Sequence, residues 1–132
     1  MAQNGDIVKG LYKAFAGGDV AAVLGALDPG IRWSAADGVL YADRNPYVGP
    51  QAVAEGVFMR LVSDVENFSV VPSNIIDGGD TVVAEGRYSG KIKATGTPLD
   101  AQFAHVWEFR NGKVVRFQQY TDTRQWAAAF GS

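Results

Sequence analysis

The run AQFAHVWEFRNGKVVRFQQYTD, residues 101–122, alternates in character along both arms and breaks once, at Asn111-Gly112. In its first arm the odd positions are Phe103, His105, Trp107 and Phe109; the even ones are Gln102, Ala104, Val106 and Glu108. Strict alternation is the mark of a half-buried strand, and Asn-Gly between two such arms is a strong hairpin signal. The odd face is the more aromatic and turns inward, taking with it His105, the one histidine in the chain. In the second arm Val115, Phe117, Gln119 and Thr121 make the better inner face. A single β-bulge would reverse that assignment beyond it.

The same period extends upstream as far as Asn67. FSVVPSNII and TVVAEGRYSG read as strands, and DGGD and TGTP supply the turns. In 81–90, Val82, Ala84, Gly86 and Tyr88 share a face; small residues at 84 and 86 opposite large aromatics predict a space between sheet and helices. Before Asn67 the period is helical. Val8, Leu11, Tyr12 and Phe15 fall on one side of 6–16, which Gly17-Gly18 ends. Asp19 is placed to cap VAAVLGAL, Asp28-Pro29-Gly30 is a turn, and IRWS is a short strand. After the polar stretch 35–50, Pro50 suits the start of a third helix with Val53, Val57, Phe58, Leu61 and Val65 as its stripe. TRQWAAAF closes the chain as a short helix. Helices followed by a meander give a single α+β domain over residues 1–132.

Composition narrows the chemistry. The chain has 132 residues, 47% of them apolar, and a formal charge of −2. Without a basic excess there is no electrostatic basis for binding nucleic acid or anionic membrane, and no apolar run nears the about 18 residues of a membrane span. The opening MAQNGDIVKG lacks an apolar leader core, so the expectation is a cytoplasmic protein. Zero cysteines and one histidine exclude thiolate nucleophiles, sulfur-bound zinc and HExxH sites. No glycine-rich phosphate loop is present. No metal and no cofactor are expected; chemistry falls to one histidine, carboxylates, tyrosines and amides.

LYKAFAGGDVAAVLGAL (11–27), NPYVGPQAV (45–53) and FAHVWEFRNGKVVRFQQYTDT (103–123) together resemble the SnoaL-like and ketosteroid-isomerase-like proteins of the nuclear transport factor 2-like superfamily. The resemblance implies a cystatin-like cone: a curved antiparallel sheet packed on three N-terminal helices around a deep apolar pocket, often in a homodimer. It also excludes. The epoxide hydrolase relay of this superfamily needs an Arg and an Asp where Gly86 and Tyr88 stand, and an Asp where Gln119 stands. The isomerase oxyanion acid is replaced by His105, and its tyrosine donor corresponds to Tyr12, one residue out of step. Its basic Asp falls among Ser34, Ala35 and Ala36, with Asp37 beyond. Cyclases of the SnoaL type use an acid/base group in the pocket, and His105 matches the histidine that several of them carry.

His105 and Asp37 are therefore the catalytic candidates, and Tyr12, Trp33, Phe58, Tyr88, Trp107, Phe117 and Gln119 the ligand-binding ones. Each has a structural alternative. His105 could be a satisfied core histidine, Asp37 beside Gly38 a turn former, the aromatics plain core. Asp122 is either a helix cap, with Gln125 three residues on, or a pocket acid. Three functions stay open: a cofactor-free isomerase, cyclase or dehydratase acting on a small apolar carbonyl compound by His-mediated proton transfer; a non-catalytic binding module for a small hydrophobic ligand; and a protein adaptor using the outer sheet face. If His105 faces empty space, His105→Phe should cost at most about 1 kcal/mol; a bonded histidine would cost more. The outer face, with Val83, Val106 and Tyr120 among charges, predicts a homodimer. Sedimentation at micromolar concentration should give twice the chain mass of 14.1 kDa; the single-chain mass would refute the dimer.

Overall fold

A computed structural model describes residues 3–131. Helix α1 (Asn4–Ala16) ends at Gly17, and α2 (Val20–Gly25) is capped by the Asp19 carboxylate, which accepts from Ala22 N at 3.1 Å. Strand β1 (Leu27–Ser34) follows, then a 3-10 turn (Leu40–Arg44), the short β2 (Tyr47–Val48) and a third helix over 50–64. The meander is β3 (Val65–Asp77), β4 (Thr81–Ile92), β5 (Pro98–Arg110) and β6 (Lys113–Thr121), and a C-terminal helix (Thr123–Phe130) closes it. The order across the sheet is β2-β1-β6-β5-β4-β3, curved and unclosed. The four long strands pair antiparallel; β1 joins the free side of β6 in parallel, with Trp33 opposite Phe117. Among the described residues no helix is long and apolar enough to cross a membrane.

The alternation in β4 and β5 is borne out residue by residue. Val82, Ala84, Gly86 and Tyr88 are buried, as are Phe103, His105, Trp107 and Phe109, while Glu85, Arg87 and Gln102 are exposed. Asn111 and Gly112 both have positive φ, 52° and 76°, as a two-residue hairpin matched to strand twist requires. The β6 assignment is corrected at its start. Phe109 pairs with Val114 and Glu108 with Arg116, so Val115 is the extra residue of a bulge, and Val114 rather than Val115 is fully buried. Beyond the bulge Phe117 points inward as expected.

Two further expectations are corrected. Val65 does not continue the helical stripe but begins β3, because the third helix ends at Asp64. That helix also contains a π segment, Ala54–Phe58, between α-helical turns, and Gly56 at its centre lies against the Tyr47 ring, where a Cβ would sit 2.2 Å from Cε1. Finally, the space between sheet and helices is present but lies elsewhere: neither Ala84 nor Gly86 lines it, and the volume at Gly86 is filled. A Cβ at Gly86 would meet Val71 O at 2.1 Å and Phe103 Cζ at 2.7 Å, so the missing side chain is what lets the Phe103 ring and β3 close on β4. The core is otherwise one cluster between the helices and the inner sheet face.

Asp122 is the N-cap of the C-terminal helix, its carboxylate accepting from Gln125 N at 3.3 Å. Asp122→Asn should leave thermal stability unchanged, while Asp122→Ala should lower it by about 1 kcal/mol; equal losses in the two variants would mean the charge, not the cap, matters.

Candidate functional site

The register of the sheet brings the polar residues of the inner face into one row. Ala84 on β4 lies opposite His105 on β5, which lies opposite Gln119 on β6. Four residues along β4 from Ala84, Tyr88 reaches back to the histidine, and Tyr12 comes down from the buried face of α1. The Tyr12 hydroxyl is 2.6 Å from His105 Nδ1, and the Tyr88 hydroxyl is hydrogen-bonded to His105 Nε2. Each tyrosine oxygen also accepts from a fixed donor. Trp107 Nε1–H donates to Tyr12 at 3.1 Å, and Gln119 Nε2–H donates to Tyr88 at 2.8 Å. The orientation of the Gln119 amide follows from its other end, where Oε1 accepts the Ala36 N–H at 3.0 Å.

These groups form one wall of a cavity of about 80 Å³ between sheet and helices. The rest of the lining is apolar or aromatic, including Trp33, Phe58, Trp107 and Phe117. All seven sequence-derived ligand-binding candidates, Tyr12 and Gln119 among them, therefore lie around the same space. Sequence reasoning missed Tyr41 on the 3-10 turn, Phe68 at the start of the meander and Trp126 on the C-terminal helix. Trp126, Ala129 and Phe130 at helical spacing were a usable signal for a packed face; nothing marked Tyr41, whose hydroxyl donates to Asp64 at 2.7 Å. Asp37 is exposed and lies instead at a separate, polar pocket with Arg32, Asn45 and Arg116, so the structure does not bring it to His105. Asp122 is not part of the lining either.

Burial decides the charge state of the wall. His105 is 4% exposed, and loss of solvation pushes its pKa from 6.5 down to about 3. The same cause raises the Tyr12 and Tyr88 hydroxyls well above the usual phenol range. All three groups are neutral near pH 7. A neutral imidazole has one N–H and one bare nitrogen, and a hydroxyl gives one hydrogen and accepts two. Two tyrosine hydrogens and one imidazole hydrogen are shared between two links, so one hydrogen is left over. With Nε2–H it is on Tyr88, whose acceptor sites are filled by His105 and Gln119; with Nδ1–H it is on Tyr12, filled likewise by His105 and Trp107. In either tautomer one tyrosine hydroxyl has a hydrogen to offer.

Among the described residues no three His, Cys, Asp or Glu side chains gather into a metal site, and the cavity lining contains no carboxylate. The wall can therefore donate a hydrogen bond to an acceptor and pass protons along itself, without any charged group.

Known proteins show the family and the fold. The family model of the SnoaL-like domain matches residues 8–117. An NTF2-like protein from Burkholderia thailandensis E264 is 33% identical with all of both chains covered, at a TM-score of 0.94. An NTF2-like protein of unknown function from Burkholderia pseudomallei K96243 is 27% identical over the whole of both chains, at 0.89. TerC, co-crystallised with polyporic acid, shares the fold at 23% identity and 0.86, with 99% of this chain and 100% of that one covered. No curated protein matches the chain in sequence.

The depressed His105 pKa makes stability pH-dependent. Unfolded, the histidine takes up a proton near pH 6.5; folded, it stays neutral down to about 3. The unfolded state thus binds more protons in that window, and stability should fall as pH drops from 6.5 toward 3, by up to about 1.4 kcal/mol per pH unit from this group. His105→Phe should remove that component and, because it strips a partner from each tyrosine, cost about 1–3 kcal/mol at pH 7. Urea unfolding of both proteins between pH 4 and 7 checks both; parallel pH curves would contradict the buried neutral histidine.

Proposed function

The chain belongs to the SnoaL-like domain family, and from that premise we propose that its cavity takes a small, mostly apolar molecule carrying an oxygen acceptor, a carbonyl compound above all. The observation that supports this is the spare tyrosine hydrogen on the one polar wall of an apolar space. A buried donor without an acceptor is costly, and a ligand carbonyl would relieve it. The cavity is roughly half the ~150 Å³ of an engineered cavity known to admit benzene. The favoured guest is therefore compact, or the aromatic walls part for it.

The chemistry that fits such a wall is proton transfer next to the carbonyl without cofactor: isomerisation, cyclisation or dehydration. His105 takes part through the tyrosines, since both its ring nitrogens are engaged. A non-catalytic binding module is the second reading, favoured by the absence of any carboxylate from the lining. Two chains joined through the outer sheet face belong to the same proposal. Val83 and Val106 are directly opposite each other there and half-buried, and Tyr120 is 54% exposed. A cytoplasmic setting belongs to the same proposal.

Trp33 and Trp107 line the cavity and report its occupancy. Titration with cyclohexanone should change tryptophan fluorescence saturably, and methylcyclohexane, of similar size without the oxygen, should bind at least about tenfold more weakly. Equal binding of the two would remove the acceptor from the proposal; no binding of any small carbonyl compound would remove the pocket reading.

A further inference from the structure

We propose that Tyr12, His105 and Tyr88 form a proton relay that is neutral throughout, taking a proton from carbon at one end while giving one to the carbonyl oxygen at the other, so that the site tautomerises an enolisable ketone. The inference rests on the carbonyl-binding reading above and assigns it a mechanism. Its basis is the geometry of two hydroxyls, one on each imidazole nitrogen, both at the same cavity, with a spare hydrogen at one end. Both ends are anchored by donors that cannot take up a proton in exchange, Trp107 Nε1–H and the Gln119 amide.

The step balances as follows, beginning from the Nε2–H tautomer. The Tyr88 hydrogen passes to the ketone oxygen, Nε2–H passes to Tyr88, and the Tyr12 hydrogen passes to Nδ1. Tyr12 takes the hydrogen from the carbon beside the carbonyl. The C–H electron pair becomes the C=C bond of the enol, and the C=O π pair becomes its O–H bond. The imidazole is left as the Nδ1–H tautomer, with the spare hydrogen now on Tyr12. Once the Tyr12 hydroxyl has exchanged its hydrogen with solvent, running the chain backwards returns a solvent proton to carbon and resets the relay. Stepwise transfer would leave a phenolate or an imidazolium in a buried wall, which desolvation opposes at all three groups. No carboxylate lines the cavity to share such a charge. The relay avoids the charge by moving one proton at each link.

The test is hydrogen–deuterium exchange on cyclohexanone in D2O, followed by proton NMR, beside the fluorescence titration. The wild type should accelerate exchange next to the carbonyl. Tyr12→Phe and Tyr88→Phe keep the rings and should bind cyclohexanone within about tenfold of wild type. Each alone should lose exchange by about 10²-fold or more, because the chain is cut at either end. Binding without accelerated exchange in the wild type overturns the relay and leaves the pocket reading standing. Exchange that survives either substitution overturns it too, since one hydroxyl would then suffice. No binding of cyclohexanone or butanone overturns both.

Discussion

The site depends on one constraint, the burial of an imidazole with a tyrosine hydroxyl on each nitrogen. A buried imidazole is tolerated when it is neutral and both nitrogens are bonded, and here both conditions hold. The ring is clamped in a plane by Phe103, stacked on it with centroids 4.0 Å apart. Tyr12 in turn lies nearly parallel to the imidazole, at 9°. Moving any one of these rings would unpair a polar atom beneath an apolar ceiling. The surrounding aromatics therefore have a positional duty beyond filling volume, and the stacked pair Trp33 and Phe117, 3.7 Å apart across parallel strands, extends the same rigid wall.

Much of this was legible in the chain. The alternation Phe103, His105, Trp107, Phe109 sets one inner face, and register is strongly specified when one face is buried, so His105 had to point inward. Tyr88 and Gln119 followed from the same period on neighbouring strands. Tyr12 followed from the α1 stripe. What periodicity does not carry is contact across elements: nothing in the spacing tells that Tyr12 and Tyr88 meet the two nitrogens of the same ring. A bare histidine facing open space was one expectation, and the pairing of both nitrogens replaces it.

Where the reading went astray, a local geometry had broken the period. The bulge at Val115 displaced the inner face by one residue. The glycine at 86 looked like a vacancy because side-chain size was counted without its neighbours, and Phe103 occupies that volume. Val65 matched a helical stripe that the chain had already left. Asp37 matched only by proximity in sequence: Asn45 bonds the backbone N–H and C=O of Ala35, at 2.9 and 2.7 Å, and it is Ala35 rather than Asp37 that reaches the cavity.

The contact between Gly5 N and the Asp77 carboxylate, at 3.0 Å, joins residues 72 positions apart, and Tyr12 meets His105 across 93. The meander, by contrast, closes through turns of a few residues. Contacts of long sequence separation carry the larger loop-closure entropy and are made late. The topology therefore makes the α1 contacts the costliest in chain entropy and the hairpin contacts the cheapest, and it is the costly contact that brings the second hydroxyl to the imidazole. The exclusion of solvent from the histidine, and with it the loss of its tendency to charge, depends in part on the first helix of the chain. Without α1 in place His105 would lose the Tyr12 hydroxyl at Nδ1 and part of the cover that keeps it neutral.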